Sequence, residues 1–133
     1  RVRLAGATRS DRAPAEAVNE HTYGGAVMRS EILEAHNVDA EGRPAGGTTI
    51  GRGFKIDWQN GPLAVDGVRV EPNGAFVEDV IAAALGRIQH YQTSKFRCRE
   101  NALAITKLEE ALHWLGARTR DRERRGVEGT HEL

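Results

Sequence analysis

The run Phe76-Val77-Glu78-Asp79-Val80-Ile81-Ala82-Ala83-Ala84-Leu85-Gly86-Arg87-Ile88-Gln89-His90-Tyr91 decides how the C-terminal half folds. Phe76, Val77, Val80, Ile81, Ala84, Leu85, Ile88 and Tyr91 recur at steps of three and four, which puts them on one wide apolar stripe of a helix. Asn73 reads as its N-cap, with Pro72 closing the extended segment before it. Glu78 and Asp79 fall near the helix start, where the dipole favours negative charge. The polar and basic stretch Gln92 to Arg97 interrupts the stripe. A second stripe then runs Ala104, Ile105, Leu108, Ala111, Leu112, Leu115, with Gly126 as a natural stop. Residues 73–125 are therefore predicted as two helices and residues 126–133 as a polar tail.

Upstream, the period changes. Ile50, Phe54, Ile56 and Trp58 share one parity, with Arg52, Lys55 and Asp57 between them, the alternation of a half-buried strand. Val27 to Val38 reads as a partner strand, and Asp39 to Gly47, rich in Gly and Pro, as the loop of a long hairpin. Asn60-Gly61-Pro62 is a second turn signal. Val65, Val68 and Val70 suggest a short third strand. Glu31 to Ala35 is readable as strand or helix. Residues 1–26 read as a flexible or loosely docked arm in which Ala15 to Glu20 could form a short helical turn. The expected organisation is this arm, then one domain over residues 27–133, with a β region at 27–72. The fold class is α+β: an antiparallel hairpin or sheet, then two helices.

The whole chain has 133 residues and a formal net charge of zero, from nineteen basic and nineteen acidic groups. That balance disfavours a bulk duplex-DNA binder, which needs a strongly basic face. A domain of this size buries a limited share of its surface, so oligomerisation would supplement it. No run approaches the length of a membrane helix, and Arg1 to Gly6 is too poor in apolar residues for a secretory leader. Cys98 is the only cysteine, so no internal disulfide forms and a reducing compartment fits. One cysteine and five scattered histidines make no zinc pattern.

The charge is uneven. Residues 95–133 hold nine basic and seven acidic groups, and Arg118 to Arg125 alone holds five arginines and two acids. On a helix Arg118, Arg122 and Arg125 share a face, where planar guanidinium forks suit phosphate oxygens. The alternative is a solvated face of Arg–acid pairs at a helix C-terminus. Asn101 opens the second helix, either as its N-cap or as an amide that donates and accepts to a base edge. Tyr91 can stack on a base, or pack in the core with its hydroxyl at the rim. Gly51-Arg52-Gly53 lacks the third glycine of a dinucleotide fingerprint and reads as a turn or bulge. His113 beside Trp114 reads as packing, Cys98 among Arg97 and Arg99 has no catalytic partner, and His131 reads as solvated. No catalytic set and no metal or cofactor site is expected.

The stretch Arg97-Cys98-Arg99-Glu100-Asn101-Ala102-Leu103-Ala104-Ile105-Thr106-Lys107-Leu108-Glu109-Glu110-Ala111-Leu112-His113-Trp114-Leu115, followed by Arg118-Thr119, Arg122 and Gly126 to His131, resembles the signature of the Thoeris anti-defence sponge family. So does Asn73 to Val80. These are phage proteins that sequester the nucleotide signals of bacterial immunity. The likeness runs from about residue 73 to 131 and extends more loosely back to residue 27. It implies a small subunit with an antiparallel sheet and a helical pair, assembling into an oligomer, a hexamer built from dimers. It implies binding, without cleavage, of glycocyclic ADP-ribose, and of cyclic dinucleotides and trinucleotides, in the cytoplasm of the infected bacterial host. Inhibition of both Thoeris and CBASS defence would follow. By the same resemblance Tyr91 and Asn101 belong to the signal pocket, and Arg118 and Arg122 bind phosphates; Arg99 and Thr106, near Asn101 on the helix, are weaker candidates for the pocket walls. Two other readings compete: an enzyme degrading such signals with His113 or His131 as base, and a structural oligomer without a small ligand.

Overall fold

A computed structural model describes residues 31–133, together with the strand Ala17–Asn19. The chain divides into two compact units, Arg1–Asn60 and Gly61–Leu133. The division falls at the Asn60-Gly61-Pro62 turn signal.

The first unit is a four-stranded antiparallel sheet in sequence order: β1 (Ala17–Asn19), β2 (Ile32–Val38), β3 (Pro44–Gly51) and β4 (Phe54–Trp58). Within the stretch read as a helical turn, Ala17–Asn19 form an edge strand instead, with Val18 opposite Leu33. So short an isolated helix would not sustain itself, whereas the strand completes the ladder of β2. The rest of the expected arm, and residues 27–30 of the expected partner strand, lie outside the described residues. The stretch from Glu31 to Ala35 resolves as strand from Ile32 onward: Leu33 faces Ile50 and Ala35 faces Thr48. The β2–β3 loop is tighter than its glycines suggest, because Pro44 to Gly47 already belong to β3. Asp39 organises it. Its carboxylate accepts from the Glu41 and Arg43 backbone N–H groups at 3.0 and 2.9 Å and from Arg43 Nε at 2.7 Å. Gly47, at φ 136°, sits where a Cβ would land on the Ala35 carbonyl, beside a bulge between His36 and Val38.

The β3–β4 loop is Arg52-Gly53, with Gly53 at φ 80°, so the turn reading of Gly51-Arg52-Gly53 holds. Its register corrects the shared parity of Ile50 with β4. Gly51 pairs with Phe54, Ile50 with Lys55 and Thr49 with Ile56, so a two-residue loop sets even residues against odd ones. Ile56 and Trp58 share a face with Thr49, while Ile50 points to the other face with Leu33. Thr49 is 6% exposed, the most buried of the described residues, and its hydroxyl accepts from Trp58 Nε1 at 2.8 Å.

The second unit begins with a small antiparallel pair, β5 (Ala64–Val65) and β6 (Val68–Arg69). This corrects the single strand expected over Val65 to Val70. Asp66 (φ 51°) and Gly67 (φ 74°) form a two-residue turn with both central residues left-handed, the geometry that Asp-Gly favours in hairpins. Helix α1 spans Val77–Gln92 and α2 spans Arg99–Arg125. The N-cap of α1 is Phe76, in extended conformation and with no side-chain cap bond, not Asn73. A start at Asn73 would place Gly74 in the first turn, at a cost of about 1 kcal/mol relative to Ala. The later start keeps Glu78 and Asp79 in the first turn. The two stripes meet as a helical hairpin, and Ile81, Leu85, Ile88, Ile105, Leu108 and Leu115 are half-buried. Neither helix holds a fully buried residue.

The segment after α2 is not a free tail. Gly126, at φ 72°, ends the helix as expected. The Gly129 carbonyl then accepts from the Leu63 and Ala64 N–H groups at 2.8 and 3.1 Å, and Glu128 pairs with Arg69 at 3.1 Å. The chain folds back onto the β5–β6 pair because these carbonyls need donors and the edge of β5 supplies them.

Candidate functional site

The predicted ligand residues gather at the two ends of α2 and not at one place. Asn101 and Arg118 are seventeen residues apart, about 25 Å along a helix axis.

At the first end, Tyr91 closes α1 and Asn101 lies in the opening turn of α2, with residues 93–98 between them. Side chains fix this loop. The Gln92 amide donates to the Cys98 carbonyl and accepts from the Cys98 N–H, both at 3.1 Å. Ser94 Oγ donates to the Tyr91 carbonyl at 2.6 Å, and Thr93 Oγ1 donates to the His90 carbonyl at 2.8 Å. Cys98 is the N-cap of α2, its sulfur accepting from the Asn101 N–H at 3.4 Å. Asn101 is therefore the third residue of the helix and not the cap. Its side-chain Nδ2 reaches back to the Phe96 carbonyl at 3.2 Å, leaving Oδ1 as an acceptor at the loop.

Tyr91 is 39% exposed, so it is a rim residue and not core. Arg87, one turn earlier, donates from Nε to the Tyr91 hydroxyl at 3.0 Å and lies over the ring with its guanidinium carbon 4.9 Å from the centroid. Sequence reasoning passed over Arg87, although its i,i+4 spacing from Tyr91 was the available signal. Phe96 is 67% exposed with Lys95 Nζ 5.4 Å from its ring centre. Arg97 and Arg99 are exposed on either side of Cys98. Thr106 is exposed, and its hydroxyl donates to the Ala102 carbonyl one turn back at 3.1 Å.

At the other end, the five-arginine run separates into different roles. Arg118 is exposed and its side chain makes no hydrogen bond or ion pair with the described residues. Arg122 is half-buried and donates to the carbonyls of Val127, Thr130 and Glu132 at 3.0, 2.9 and 2.8 Å. Arg125 pairs with Asp121 at 3.0 Å, so the Arg–acid alternative describes that residue. Arg122, Arg124 and Arg125 also stand in the last turn, where positive charge suits the helix dipole.

Of the remaining candidates, His113 and Trp114 touch edge to face at 5.9 Å, but Trp114 is 67% exposed. The two rings pack on each other at the surface, both residues falling outside the stripe that faces α1. His131 is exposed, as read. Among the described residues, no helix is long and apolar enough to cross a membrane.

Residues 51–120, just over half of the chain, match the family model described as Acb2/Tad1, hairpin domain. A curated relative, Thoeris anti-defense 1 of Bacillus phage SBSphiJ7, is 56% identical over 77 residues, 58% of this chain and 51% of that protein. The chain thus spans about half the length of the curated relative it matches. The matched stretch contains α1 and α2 as far as residue 120, with Tyr91, Asn101 and Arg118, and on it the chain belongs to the Acb2/Tad1 hairpin-domain family.

Proposed function

We propose that this chain is an anti-defence sponge: it binds the nucleotide signals of bacterial immunity and holds them without cleaving them. Likeness to a phage protein named for Thoeris anti-defence supports that role. The observation that carries the site is the end of the hairpin, where an exposed aromatic ring and an Asn amide flank a loop held by its own side chains. Tyr91 stacks on the base of an ADP-ribose-type signal such as glycocyclic ADP-ribose, a contact worth about 1–3 kcal/mol. Asn101 Oδ1 takes a base or ribose donor, and Arg99 and Thr106 form the neighbouring wall.

The second end of α2 takes phosphates of a cyclic dinucleotide or trinucleotide. Arg118 offers a guanidinium with no described partner, and Arg122 lies one turn further on. The separation along α2 makes these two sites for two ligands. The protein works as an oligomer, a hexamer, in the cytoplasm of the infected host and inhibits both Thoeris and CBASS defence. Sequestration needs a slow off-rate and no turnover, which suits a site built from stacking and charge.

Calorimetric titration against glycocyclic ADP-ribose and a panel of cyclic oligonucleotides tests this reading. Ligand recovered intact after heat release supports it. A cleaved product would sink the sponge in favour of an enzyme, and no binding or thermal shift with any member of the panel would favour a purely structural oligomer.

A further inference from the structure

We infer that Arg87 is a further ligand-binding residue of the Tyr91 site, taking a phosphate of the nucleotide whose base stacks on Tyr91. The inference rests on the sponge reading above and adds a residue to it. Arg87 and Tyr91 are both exposed and lie one helical turn apart on α1. The guanidinium meets Tyr91 in two ways, through Nε on the hydroxyl at 3.0 Å and through its carbon at 4.9 Å from the ring centroid.

Three physical points lead from this geometry to a ligand. First, the partner is a neutral phenol, and Arg87 forms no ion pair with the described residues, so its charge is not neutralised there. Second, the phenol uses Nε alone. Both Nη groups keep their N–H donors, the planar fork that matches two phosphate oxygens. Third, the guanidinium stands over the ring toward its hydroxyl end, and a base stacked on the face away from it would complete a cation–ring–base stack. A nucleotide carries its phosphates one sugar away from its base. Arg87 stands about 6 Å along the helix from Tyr91, so one molecule spans both. The Arg87–Tyr91 hydrogen bond also holds the fork in place before the ligand arrives.

The test is titration of glycocyclic ADP-ribose into the full chain and its Arg87→Ala, Arg87→Lys, Tyr91→Phe, Tyr91→Ala and Asn101→Ala variants, with helical content and melting temperature followed for each. Arg87→Ala should weaken binding about tenfold or more. Arg87→Lys, which keeps charge and loses the fork, should fall between it and the parent. Tyr91→Phe, which keeps the ring and loses the hydroxyl that holds the fork, should weaken binding by less than Arg87→Ala does. Added salt should weaken the parent more than Arg87→Ala. Two results overturn the inference while leaving the site intact: Arg87→Ala within twofold of the parent while Tyr91→Ala loses binding, or Tyr91→Phe losing as much as Arg87→Ala, which would make Arg87 a support for the ring only. If the parent binds no ligand, or Tyr91→Ala and Asn101→Ala bind as the parent does, the sponge reading falls and Arg87 with it.

Discussion

The two ends of α2 carry similar chemistry in opposite states. At the start, Lys95, Arg97 and Arg99 stand exposed around a loop whose backbone is already satisfied by Gln92, Ser94 and Asn101. At the finish, Arg122 is spent on the backbone: three carbonyls of the following segment surround its guanidinium. Arg118, one turn earlier on the same face, has no such duty. An arginine read as a phosphate ligand in sequence can therefore also act as the clasp of its own C-terminal segment. Four residues separate the two behaviours.

The largest expected effect tests the first end. Tyr91→Ala combined with Asn101→Ala should weaken glycocyclic ADP-ribose by about 100-fold or more, since a stack and a hydrogen bond are both lost. Size-exclusion chromatography should show the oligomeric state unchanged; dissociation would mean that these residues are structural and would erase the contrast between the ends. Next comes the second end. Arg118→Ala should weaken a cyclic trinucleotide about tenfold at an unchanged melting temperature. Arg122→Ala should lower the melting temperature as well, by releasing bonds of about 1.5–3 kcal/mol each before allowance for their partial exposure, and hydrogen exchange should rise across residues 127–132. Equal melting temperatures for the two variants would break the distinction.

The smallest effect lies in the sheet unit and serves as the control. The Arg43 backbone N–H, and then its guanidinium, hold the Asp39 carboxyl below its ordinary range. A depressed carboxyl contributes stability that is present above its unfolded pKa, about 3.9, and is lost as the pH falls through the lower folded value. Acid titration followed by the Arg43 amide resonance should show the β2–β3 loop loosening only below that range. Asp39→Asn should abolish the response and leave ligand binding untouched.

Much of the fold was legible because it rests on periodicity and on residues with one strong use. The apolar stripes located both helices, Gly126 located their end, and the turn residues located the β2–β3 hairpin. What escaped reading depended on relations between segments. Alternation within β3 and β4 cannot reveal that a two-residue loop shifts their parity, so Ile50 was placed on the wrong face. Three valines at close spacing concealed the Asp66-Gly67 turn between them. Asn73 has the right side chain for a cap, but the glycine after it is a poor first residue for a helix. The site divides in the same way. Tyr91 and Asn101 were visible as residue types beside a break in the stripe. The occupation of Arg122 was not, because its acceptors are backbone carbonyls, which look alike at every position of a sequence.

Gln92 interrupts the apolar stripe, and its amide imitates a strand by both donating to and accepting from Cys98. The connection between the helices thus loses its conformational freedom during folding, long before any signal molecule arrives. Capture then requires little further ordering of the chain, and less of the attraction between protein and ligand is spent on that ordering. For a sponge of the kind proposed, this rigidity would translate into residence time, since the bound molecule would leave by breaking its own contacts.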